Sequence, residues 1–154
     1  MLFLSKSLIF NWHGDQSAEN EAEFNDYQRA CAVVDEIDTI SVGHAEAVVL
    51  GDEPDRTALI HLSSALFILR WRWAESEESL LSLLLPKMGS LSFAKSGSFS
   101  TVPGEHVLFD AALSGAEIEQ QLSVDLDANV NLLETVFFEP NLDTCAIIHR
   151  ITPA

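Results

Sequence analysis

The chain has 154 residues, 47% of them hydrophobic, which suits one domain with a substantial core. It carries 24 acidic and 8 basic residues and a formal net charge of −16, so nucleic acids and anionic membranes are poor partners. It has neither an apolar run of the roughly 20 residues that span a bilayer nor a signal-peptide pattern, so we expect a cytoplasmic protein. We expect its two cysteines, Cys31 and Cys145, to be reduced and buried.

The acidic residues are unevenly distributed. Residues 15–55 contain twelve of them and a single basic residue, Arg29. Such a surface attracts a basic partner, although acidic surfaces also serve solubility alone.

Short runs of apolar or alternating residues dominate the chain. An apolar segment before Trp12 predicts a first strand, and residues 15–25 predict an acidic loop. Turn-forming residues separate the later runs, and their spacing favours antiparallel sheets. The predicted strands cover residues 27–34, 39–42, 45–50, 57–62, 66–74, 106–113, 118–126, 130–138 and 145–151.

Three regions do not show this pattern clearly. Residues 27–34 also fit helical spacing, but we predict a strand. Residues 76–85 predict a helix, because acidic residues occupy its first turn and leucines follow. Residues 90–104 predict a loop with at most a short strand. The expected fold is therefore mainly β: a single-domain antiparallel β-sandwich or open barrel, spanning residues 1–154, with one substantial helix.

The sequence Gly51-Asp52-Glu53-Pro54 is typical of a turn, because glycine permits a positive φ and proline keeps the preceding residue extended. Asp52 and Glu53 would then present two adjacent carboxylates, which suit an arginine or lysine of a partner. As a metal site the pair is weak, because no histidine or cysteine stands beside it at a typical ligand spacing.

Alternation along residues 66–74 places Trp71 and Trp73 on one face and Arg70 and Arg72 on the other. We expect the indoles to fill the core. The arginines either pair with the abundant carboxylates, or one of them holds Asp52 or Glu53.

Three residues near the acidic loop have two interpretations each. Trp12 either contacts a partner or caps a sheet edge, since tryptophan is favoured at binding centres and in cores alike. Asp26 and Tyr27 either anchor the loop or line an interface.

Five motifs occur in this order: Trp12-His13-Gly14, Asp26 to Cys31, Val48 to Pro54, Arg70-Trp71 and Ile147 to Arg150. With them the chain resembles the twenty-first immunity-protein family of bacterial polymorphic toxin systems. The resemblance implies a cytoplasmic antidote that binds a cognate toxin, without enzymatic activity or a cofactor.

Our hypothesis is stoichiometric occlusion of a basic toxin site by the acidic surface. The expected contact residues are Trp12, Asp26, Tyr27, Asp52, Glu53 and Arg70. Two alternatives remain: a metal-dependent hydrolase that uses Asp52 and Glu53 with a histidine, and a small-ligand-binding β-barrel. Neither a nucleophile elbow nor a P-loop nor a zinc signature is present in the sequence.

Overall fold

A computed structural model describes residues 1–16, 24–51 and 55–154. Among them are ten strands: β1 (Leu2–Ser5), β2 (Ile37–Val42), β3 (Ala45–Leu50), β4 (Arg56–Leu62), β5 (Ala65–Trp73), β6 (Ala94–Ser100), β7 (Gly104–Phe109), β8 (Leu122–Leu126), β9 (Val130–Asn141) and β10 (Thr144–Pro153). The same residues form the helices α1 (Asp26–Cys31) and α2 (Glu77–Leu84), with 3-10 helices at Lys6–Asn11 and Leu85–Ser90.

The chain divides into two compact units. The first unit comprises Met1–Glu53, Ser98–Asn131 and Ala154, and the second comprises Pro54–Gly97 and Leu132–Pro153. The prediction of a single domain stays a prediction.

The first unit contains an open antiparallel sheet in the order β2-β3-β1-β7-β8. Its central strand β1 pairs with β3 through Leu2 and Val49, and with β7 through Leu2 and Phe109. Leu2, Phe3 and Leu4 are completely buried, as a central strand covered on both faces requires. The loops and the short helix α1 of this unit are attached to this sheet.

The second sheet has the order β4-β5-β10-β9-β6. Strand β5 pairs with both β4 and β10, so Leu69 lies between Ala58 and Ile148. Helix α2 packs Leu80 and Leu84 against Phe67, Leu69 and Ile148. Its first turn follows the N-cap Ser76, whose Oγ accepts a hydrogen bond from the backbone N–H of Ser79 at 3.1 Å.

The mainly β fold and the helix predicted over residues 76–85 are confirmed. The strand predicted over residues 27–34 is wrong, because Asn25 and Gln28 form a reciprocal capping box that starts α1. The loop predicted over residues 90–104 contains the seven-residue strand β6. The predicted first strand ends at Ser5 and continues as a 3-10 helix.

Both cysteines are free thiols. Cys145 is buried, as predicted, but Cys31 is exposed, so its predicted burial is wrong. The buried residue of the short helix α1 is Ala30, whereas Cys31 at its end is exposed.

Candidate partner-binding site

Trp12 is buried after the first 3-10 helix and anchors the turn that follows. Its side chain is 1% exposed, and its Nε1 donates a hydrogen bond to the Ala111 carbonyl oxygen at 3.0 Å. Gly14 has a φ of +61°, and a Cβ at this position would clash with the Ala112 carbonyl oxygen. The burial agrees with the structural interpretation of Trp12, and a direct role in partner binding stays a prediction.

Asp26 ties three segments of the first unit together. Its Oδ2 accepts a hydrogen bond from the backbone N–H of His13 at 2.8 Å and lies 3.2 Å from Nδ1 of the same residue. Its Oδ1 accepts one from Arg29 Nη1 at 2.9 Å. Arg29 in turn donates from Nη2 to the Ser41 carbonyl oxygen on the edge strand β2 at 2.6 Å. The carboxylate therefore fixes α1 against the His13 turn and β2.

Tyr27 lies beside this network and is 38% exposed. Its backbone N–H donates to the Gly14 carbonyl oxygen at 2.9 Å, which holds the start of α1 on the turn. A hydrogen bond with the Cys31 side chain raises the pKa of Tyr27, and the negative charges of Asp110 and Asp15 act in the same direction. The phenol is therefore a neutral hydrogen-bond donor at physiological pH.

An open acidic groove of about 670 Å³ lies in the same unit. Its described lining includes the carboxylates of Asp15, Asp110, Glu117 and Glu119. Ser114 Oγ donates to Glu117 Oε2 at 2.6 Å, and this hydrogen bond lowers the pKa of Glu117. Carboxylates arranged in this way suit lysine or arginine side chains.

The two units differ sharply in charge. The first unit contains 17 acidic and 2 basic residues, a net charge of −15. The second contains 7 acidic and 6 basic residues, a net charge of −1. Almost the whole negative charge of the chain is therefore a property of the unit that carries Tyr27 and the acidic groove.

Arg70 belongs to the second unit and is 1% exposed. Its Nη2 lies 3.7 Å from Asp55 Oδ2, and Arg72 Nε lies 3.2 Å from the same oxygen. Among the described residues, Asp55 is thus a carboxylate neighbour of Arg70. The alternative that an arginine holds Asp52 or Glu53 stays a prediction. Burial and the nearby Arg70 charge lower the pKa of His149 to about 3. This histidine is hydrogen-bonded through Nδ1 to Thr135 Oγ1 at 2.9 Å.

The structure brings Trp12, Asp26 and Tyr27 together, and it places Arg70 with Asp55 in the other unit. Asp52 and Glu53 lie outside the described residues. Sequence reasoning missed the groove carboxylates Asp110, Glu117 and Glu119. The turn Ser114-Gly115 was a usable signal, because a turn between two acidic residues brings their side chains near one another.

Among the described residues, no group of three or more histidine, cysteine or carboxylate side chains is arranged to hold a metal ion. None of the described helices has the length and apolar character needed to cross a membrane.

These features define a small, acidic, mainly β protein with exposed aromatic side chains and an acidic groove. Comparison with known families gives a match to immunity protein 21 over residues 1–144, and the chain therefore belongs to that family. The family consists of immunity proteins of toxin systems, which implies binding to a cognate toxin and suggests an inhibitor that is not an enzyme. No curated protein and no solved structure gives a significant match.

Proposed function

We propose that this protein binds its cognate toxin stoichiometrically in the cytoplasm and neutralises it by occluding a basic site. The observation that carries the proposal is the net charge of −15 on the first unit of an immunity-family chain. The electrostatic field of this negative charge accelerates the encounter with a basic protein surface and opposes binding to nucleic acid. Toxins that act on nucleic acids or nucleotides have basic sites of this kind.

The proposed contact surface combines aromatic and acidic side chains. Tyr27 and Phe24 are 38% and 68% exposed, and they provide apolar area with one hydrogen-bond donor. Aromatic residues of this type dominate binding energy when a partner covers them, and surrounding polar groups exclude water. The carboxylates of Asp15 and Glu119 in the acidic groove then bind arginine or lysine side chains of the toxin.

The other predicted residues have supporting roles in this proposal. Trp12 and Arg70 are each 1% exposed, so they act by positioning their neighbours. Asp26 holds the His13 turn and α1 in register, which orients Tyr27. Asp52 and Glu53 remain proposed toxin contacts.

The first test is co-expression of this chain with the product of its adjacent gene, followed by affinity pull-down, calorimetric stoichiometry and a growth-rescue assay. The proposal requires a 1:1 complex and restored growth. Tyr27→Ala should weaken the complex by about tenfold or more while leaving the circular dichroism spectrum unchanged. The exposed Val34→Ala is the matched control, because Val34 is 94% exposed and lies three residues beyond α1.

Failure of the pair to bind, with both proteins folded, would refute the proposal. Rescue at a ratio well below one antidote per toxin would instead indicate catalysis and refute stoichiometric occlusion.

A further inference from the structure

The second unit contains an apolar groove between α2 and strand β4. Its volume is about 390 Å³, and its apolar walls come from Ala58 and Ile60 of β4, Leu69 and Trp71 of β5, and Leu80 and Leu81 of α2. The groove exists because α2 packs over β5 and β10 and leaves the neighbouring face of β4 partly uncovered. Ile60 is accordingly half-buried, although it packs at the margin of the core cluster below α2.

Strand β4 stands at the end of the second sheet. Natural edge strands are normally protected from further pairing by charges, proline or bulges. In β4 the residues from Ala58 to Ile60 are uncharged, and the register of the strand with β5 is continuous from Arg56 to Leu62. The strand therefore has the features of one that accepts a further strand.

The charges around this groove show what kind of segment fits. Arg56 Nη2 lies 3.3 Å from Glu77 Oε2, and the Arg56 guanidinium stands 5.2 Å from the centre of the Trp71 ring. Arg56 and Glu77, the charged side chains among the described residues of the groove lining, thus pair with each other, and the net charge of the unit is −1. A charged segment gains nothing here, whereas an uncharged apolar one buries its side chains against Leu81 and Ile60.

We propose that β4 and this groove bind an extended, uncharged segment of the toxin as an added sixth strand. Every second side chain of that segment then enters the groove, and its backbone pairs with β4. The inference rests on the proposed function and adds a second contact: the acidic unit attracts the toxin, and the neutral edge holds an apolar segment of it. A second copy of this chain is a poorer occupant, because two copies that each carry a net charge of −16 repel each other.

The test combines hydrogen exchange with a matched pair of variants, using the purified toxin encoded by the adjacent gene. In the complex, alternate backbone amides of β4 should exchange at least about tenfold more slowly than in the free protein, because strand addition hydrogen-bonds them. Leu81→Lys places a charge in the groove and should weaken toxin binding by about tenfold or more. Leu85→Lys makes the same change four residues later, at a side chain 50% exposed and outside the groove lining, and should leave affinity within about twofold.

Three results would overturn the proposal. A tight complex with unprotected β4 and unaltered affinity of Leu81→Lys would refute the strand addition and leave the proposed function standing. If the β4 amides of the free protein exchange more slowly as the protein concentration rises, the occupant is a second copy of this chain. Absence of any complex would refute both proposals.

Discussion

The carboxylate of Asp26 accepts a hydrogen bond from the backbone N–H of His13 at 2.8 Å, which joins α1 to the turn that Trp12 anchors. The same carboxylate binds Arg29, and Arg29 donates to the carbonyl oxygen of Ser41. The orientation of Tyr27 therefore depends on one side chain that is 15% exposed.

Asp26→Ala should lower the free energy of unfolding by about 1–3 kcal/mol, because it leaves a charged donor and a backbone N–H without their acceptor. Urea denaturation measures this change. The exposed Asp127→Ala is the control and should change the free energy by less than about 0.5 kcal/mol. Equal effects of the two substitutions would show that the Asp26 network does not hold α1 in place.

Gly14→Ala should destabilise the first unit by about 1–3 kcal/mol, because its φ is +61° and its Cβ would clash with the Ala112 carbonyl oxygen. Gly97→Ala is the matched control, since a Cβ at Gly97 meets no atom within 4 Å. Thermal unfolding of both variants measures the difference. A Gly14→Ala protein as stable as Gly97→Ala would contradict the described turn.

The low pKa of His149 predicts a pH dependence of stability. Burial, reinforced by the Arg70 charge, lowers this pKa from 6.5 to about 3, so the folded protein keeps the ring neutral. The unfolded chain takes up a proton below pH 6.5, and the free energy of unfolding therefore falls as the pH drops from 6.5 toward 3. The contribution is at most about 1.4 kcal/mol per pH unit.

Nuclear magnetic resonance of the imidazole tests this directly: the His149 ring should not titrate between about pH 7 and 5. His149→Gln should also reduce the loss of stability over that range, measured by urea unfolding. A titration midpoint of His149 near 6.5 would contradict its burial beside Arg70.

The ion pair between Asp55 and Arg70 predicts unequal effects of removing its two members. Asp55→Ala removes a carboxylate that lies 3.7 Å from the buried guanidinium of Arg70 and should lower the free energy of unfolding by about 1–3 kcal/mol. Arg70→Met removes the buried charge itself and should cost less, since Asp55 keeps Arg72 at 3.2 Å. Urea denaturation measures the free energy of unfolding of both variants. A larger loss of stability for Arg70→Met than for Asp55→Ala would contradict our interpretation that Asp55 holds Arg70. Toxin affinity of folded Arg70→Met then decides whether this residue also contributes to binding.

Strands that have turn-forming residues at both ends were predicted well from the sequence. Strand β3 matches its predicted bounds because the turn at Gly43 comes before a run that is apolar except for Glu46, and Gly51 ends that run. The helix α2 was predictable from its acidic first turn and its leucines. Local signals and burial agree in both segments, and sequence reasoning works best under that condition.

The failures have physical causes. Around Tyr27 the apolar spacing fitted two periods, and the capping box of Asn25 and Gln28, which the strand prediction overlooked, selects the helix. Strand β6 is exposed along most of its length, so its serines lack the apolar alternation that identifies strands. The acidic groove combines Asp15 with Glu119, and such long-range proximity is a product of tertiary structure alone.

The most direct test of the account is the salt dependence of toxin affinity for two charge-reversed proteins of equal net charge. Asp15→Lys with Glu119→Lys alters the acidic groove, and Glu139→Lys with Asp143→Lys makes the same change at exposed positions of the second unit. Occlusion by the first unit predicts that the groove variant loses affinity by about tenfold or more at about 50 mM salt and shows a weaker salt dependence. The second-unit variant should keep the toxin affinity of the natural protein and the salt dependence of that affinity. Equal losses for the two variants, or wild-type affinity that does not change with salt, would contradict the central claim.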